Sequence, residues 1–164
     1  MRLSRRADFR ETAVIVLALV IGIVAGLRAM MAPAAIAWAA ALSKLPLAGT
    51  WLAFMGWRFT PWIFLLLTIG ELVTDQLPST PSRKVPVQFG ARLLTGGLSG
   101  AAIGLGLGSP LLGLALGIIG AVIGTLGGAS ARTRLSASFG RDRPAALIED
   151  ATVIAGTVLV FGAL

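Results

Sequence analysis

The chain has 164 residues, 56% of them hydrophobic and only 13% charged, with a mean hydropathy of +0.89 and a formal net charge of +7. That composition lies outside the range of soluble domains and fits one small integral-membrane domain spanning residues 1–164. Cysteine, histidine and tyrosine are absent, which excludes disulfides, thiolate or imidazole metal sites, and Cys–His or Ser–His nucleophiles.

What remains is carboxylate, guanidinium, amine and hydroxyl chemistry, and no cofactor or metal is expected. The basic residues lie in short segments between apolar runs. They read as topology signals and as contacts with anionic headgroups on the cytoplasmic side, not as a nucleic-acid surface.

The start, "MRLSRRADFR", places four arginines before the first apolar run. The run is too long for the core of an export signal, so the segment reads as a cytoplasmic anchor. Ala13 to Leu42 is about half again longer than a straight span of ~20 residues needs. Pro33 is the expected break, because a proline inside a helix removes a donor and clashes with the preceding turn. The prediction is a span from about Glu11 to Met31, then a kink or short helix from Pro33 to Ser43. The tryptophans Trp51, Trp57 and Trp62, spaced by proline and glycine, mark an interfacial segment.

A second span is predicted from about Thr60 to Gln76, followed by the proline-rich loop "LPSTPSRKVP". Ala91 to Gly108 and Leu111 to Ala131, parted by Ser109-Pro110, read as a tight Gly-rich helical hairpin. "RTRLSASFGRDRP" reads as a basic loop, and the last span as Ala145 to the C-terminus. The fold class is all-α and polytopic, with about five transmembrane helices and a short helix after Pro33. With that short helix not crossing, the N-terminus, the Arg83/Lys84 loop and the Arg132/Arg134/Arg141/Arg143 loop share the cytoplasmic side. Lys44 and Arg58 fall outside, so the positive-inside rule favours five spans, N-in and C-out.

Arg28 lies within the first apolar run, where a guanidinium needs a partner or must snorkel to the headgroups. Its predicted partner is Glu71. Glu71 and Asp75, four apart, share one helical face near the cytoplasmic end, where a solvated helix end is the plainer reading. Glu149 and Asp150 are consecutive and so point about 100° apart. They either turn one carboxylate inward or simply favour the positive end of their helix. Together with Arg92 these residues form a candidate polar network or pathway. Gly100, Gly104 and Gly108 before the turn, and Gly113, Gly117, Gly120, Gly124 and Gly128 after it, recur mostly at four-residue steps. That spacing lets helix backbones touch, within the hairpin or between protomers of a homo-oligomer.

"GLRAMMAP", "ELVTDQLP", an arginine opening a Gly-rich third helix and "PAALIED" opening the last, in that order, resemble small bacterial membrane proteins grouped as domain of unknown function 4126. The resemblance covers nearly the whole chain. It implies a bacterial inner-membrane location and no established activity. Three functional readings follow from the residues: a small transporter or channel-like protein working through the buried charges, a non-transporting scaffold in which they fix helix register, and a membrane enzyme acting on lipid phosphates.

Overall fold

The computed structural model describes residues 2–74 and 85–164, and all regular structure among them is helical. In chain order the helices are α1 (Arg2–Leu27), α2 (Met31–Ala41), α3 (Thr60–Thr74), α4 (Pro86–Leu107), α5 (Pro110–Phe139) and α6 (Asp142–Ala163), with a 3-10 turn at Ala53–Gly56. Three segments are long and apolar enough to cross a membrane: Arg10–Leu27, α5 and α6. Alanine and leucine favour the helices, and glycine and proline end them. α4 stops at Gly108, whose φ of 95° only glycine adopts readily, and α5 opens on Pro110, where no backbone donor is needed.

The centre of the molecule is a three-helix seam of α1, α4 and α5. A Cβ on Gly100 would fall on the Gly113 carbonyl, one on Gly117 on the Gly96 carbonyl, and one on Gly124 on the Ile23 carbonyl. These backbones are in contact, and dispersion between them replaces the hydrophobic drive that helices lack in lipid. Gly22 and Gly26 of α1 belong to the same seam. Gly108 does not: nothing lies within reach of it, and its place in the sequence is set by its backbone conformation at the turn.

The contacts also fix direction. Gly22 meets Gly117 whereas Gly26 meets Gly124, so α1 and α5 run parallel; Gly96 meets Gly117 whereas Gly104 meets Pro110, so α4 is antiparallel to both. α6 returns antiparallel to α1, with Gly156 against Val20 and Val24 and Asp150 beside Arg28. α2 also turns back, because the residues after it, Leu45 and Pro46, pack on Gly106 near the end of α4. One end of the bundle, the turn end, therefore holds the start of α1, the 42–59 segment, Ser109 and the C-terminus. The other, the joint end, holds the corner at residues 28–30, the end of α3 and the start of α4, and the α5–α6 turn.

This course differs from the five-crossing expectation, which requires α1 and α5 to be antiparallel and the two termini to lie at opposite ends. The break in the first apolar run falls at Arg28–Met30, ahead of Pro33. Pro33 is in the first turn of α2, where its missing N–H costs nothing. The expected basic loop is largely helix: Arg132 and Arg134 extend α5 to Phe139, and only Gly140, with φ of 63°, makes the turn. Leucine, alanine, serine and arginine all tolerate a helix, so charge alone does not end one. α6 accordingly begins at Asp142, ahead of Ala145.

α3 is peripheral. It packs on α2 and the 3-10 turn, with Trp62 edge-on to Trp38 at 5.2 Å between ring centroids, and exposes Ile63, Leu66 and Ile69.

Candidate functional site

Where α1 stops, its last carbonyls lose their helical partners, and where α2 starts, its first amides have none. Side chains from other helices take the carbonyls that end α1 and the amides of the turn at residues 29 and 30 that leads into α2. Arg92 of α4, buried, donates through Nη1 to the carbonyls of Gly26 and Leu27, each at 2.7 Å. Thr125 of α5 donates its hydroxyl to the Gly26 carbonyl at 3.1 Å, bifurcated with its own helix at Ala121. Glu71 of α3 accepts the amides of Ala29 at 2.8 Å and Met30 at 2.9 Å, and its Oε1 lies 3.6 Å from Nη2 of Arg92.

Arg28 itself points to α6. Its Nε, at 3.1 Å, and its Nη2 both donate to Oδ1 of Asp150. The predicted partner, Glu71, is instead engaged by the amides of the corner and by Arg92. The reason is directional: Arg28 ends α1 on the face toward α6, whereas Glu71 approaches from α3 on the side of α2. The guanidinium is buried in protein and does not snorkel outward.

The consecutive acids divide between two arginines. Asp150 faces Arg28, and Glu149, turned about 100° away, lies 3.8 Å from Nη1 of Arg132. Arg132 also holds Asp142 through Nε at 3.1 Å and Nη2 at 2.6 Å, and Ser136 donates to the same carboxylate at 2.8 Å. A cavity of about 110 Å³ lies beside this pair, lined by Leu27, Gly128, Arg132, Ala145 and Glu149. Gly128 therefore borders a void.

The structure thus brings Arg28, Glu71, Arg92 and Asp150 together, with Glu149 next to them. Asp75 lies outside the described residues. Thr125 and the Arg132–Asp142 pair went unpredicted; the Gly22/Gly26 step is visible in the sequence, whereas nothing local marks Thr125. Among the described residues no three acidic side chains gather as a metal site would require.

An all-helical fold with three apolar, membrane-length helices and an internal charged joint defines the class: a helical membrane protein. No family model, curated protein or solved structure matches this chain.

Proposed function

We propose that the chain is a multi-pass protein of the bacterial inner membrane, and that the joint around Arg28 is the working site of a small transporter or channel-like protein. The broken helix carries this reading. The carbonyl end of α1 and the amide end of α2 meet inside the bundle, facing charged groups from α3, α4 and α6. Secondary transporters place ion and substrate sites at such interruptions, where half-helix ends and unwound backbone can take a ligand.

Depth supports the same reading. Thr125, beside the joint, lies about 22 Å along α5 from Pro110 at 1.5 Å per residue. If the exposed Trp51 and Trp57 mark the headgroups at the turn end, a hydrocarbon core of about 30 Å puts the joint roughly 8 Å short of the far boundary. In that placement α1 and α2 form a hairpin entering and leaving on one side, α3 runs from the turn end to the joint, and α4 to α6 cross. Irregular backbone at membrane depth has to be satisfied by protein, which is what Glu71, Arg92 and Thr125 do. Beyond the boundary, Arg134, Arg141 and Arg143 are positioned for anionic headgroups.

The four stretches that resemble domain of unknown function 4126 meet at the joint. Arg28, Glu71, Arg92 and Asp150 come one from each of the four matching stretches and converge on one corner. Reconstitution tests the transport reading. Vesicles carrying the purified protein should pass protons or monovalent cations, and folded Glu71→Gln protein should not. Wild-type vesicles as tight as protein-free ones would contradict it.

A second reading, a membrane scaffold, is favoured by one observation. The charges of the joint are engaged with one another and with backbone, and α1, α4 and α5 touch along their glycines, leaving no path in that seam. A scaffold would show no flux, and its variants would lose function only as they lose fold.

A further inference from the structure

The direction of α1 relative to α5 decides which charges share an end. Arg2, Arg5, Arg6 and Arg10 open α1, and Lys44 and Arg58 lie in the 42–59 segment, so all six belong to the turn end. Arg132, Arg134, Arg141 and Arg143 lie past the joint, and Arg83 and Lys84 fall in the sequence between Thr74 and Val85, which are both at the joint end, so six cations are counted with that end. Arg28 and Arg92 are buried among helices and exert no pull at a membrane surface.

Orientation in the bilayer is set by the imbalance of lysine and arginine between the two ends, with acidic residues counting little. Here there is no imbalance. Either orientation must translocate six cations, so neither is preferred on that ground. With α1 antiparallel to α5, the N-terminal arginines and the α5–α6 arginines would share a side and the bias would be strong. The parallel course separates them.

From this balance we infer that the chain inserts into the membrane in both orientations, one population with the turn end in the cytoplasm and one with the joint end there. The inference rests on the multi-pass membrane reading and is independent of whether anything is transported. It also makes orientation sensitive to single charges, since one added or removed cation breaks the tie.

The absence of cysteine makes the test direct. Single-cysteine proteins Thr50→Cys, at the turn end, and Ser138→Cys, at the joint end, are treated in intact cells with a membrane-impermeant maleimide and again after permeabilisation. Each is expected to reach about half of its permeabilised labelling in intact cells, as an unbiased chain should. Adding Ala48→Arg should raise labelling at Ser138→Cys and lower it at Thr50→Cys. Lys44→Ala with Arg58→Ala should do the reverse. Full labelling of one cysteine with complete protection of the other, in the protein without charge changes, overturns the inference. Extraction of the chain from membranes by alkaline carbonate would instead remove the membrane reading beneath it, so the two failures are told apart.

Discussion

Glu71 of α3 accepts the amide of Met30 at 2.9 Å while its other oxygen takes Ala29 at 2.8 Å, so one carboxylate on a peripheral helix holds the turn that leads into α2. Both oxygens are needed as acceptors. Glutamine offers one acceptor and turns an NH2 toward the other amide. Glu71→Gln should therefore cost about 1–3 kcal/mol, the range for a buried donor left unmatched. Thermal unfolding in detergent checks this, and an unchanged melting temperature would mean that the turn does not depend on Glu71.

Arg92 should matter more than Arg132, although both are arginines bound to oxygen. Arg92 is buried and answers carbonyls that have no helical partner; Arg132 pairs chiefly with Asp142, whose side chain is 59% exposed. Arg92→Met is expected to cost about 3 kcal/mol by leaving the Leu27 carbonyl without that donor and removing the positive charge beside Glu71. Asp142→Asn should cost no more than about 1 kcal/mol, as exposed pairs do. Equal losses in melting temperature would contradict the assignment.

The glycine seam gives a paired test within α5. A methyl at Gly124 would meet the Ile23 carbonyl and the Gly26 backbone, which cannot move aside as a side chain could; one at Gly127 meets nothing. Gly124→Ala should destabilise by about 3 kcal/mol or more, the upper end of overpacking. Gly127→Ala should be neutral or stabilise by up to about 1 kcal/mol through helix propensity. If both behave alike, the α1–α5 contact is looser than described.

How much of this was legible beforehand varies by element. The all-helical class, the apolar runs and the charged residues at their ends follow from composition and periodicity, which local sequence records. The sequence points to Pro33 for a break that falls at Arg28–Met30, because a proline is a breaker only past the first turn, and the turn ahead of α2 is held by Glu71, 42 residues from Ala29. The direction of α1 relative to α5 was hidden for a similar reason: four-residue glycine steps specify close packing but not parallel or antiparallel sense. Arg28 was recognised as needing a partner, yet the choice between Glu71 and Asp150 depended on which face of α1 meets α6.

The central claim is that the buried Arg28 and the partly buried Asp150 form a pair closing the joint. A double-mutant cycle with Arg28→Met, Asp150→Leu and the two combined, read as unfolding free energy in detergent, tests it most directly. Each single change removes one charged hydrogen-bonding partner from the joint and should cost about 3 kcal/mol. The double variant should be less destabilised than the two singles added, by at least about 1.5 kcal/mol. Losses that add to within about 0.5 kcal/mol would show that the two side chains act independently and would contradict the pairing.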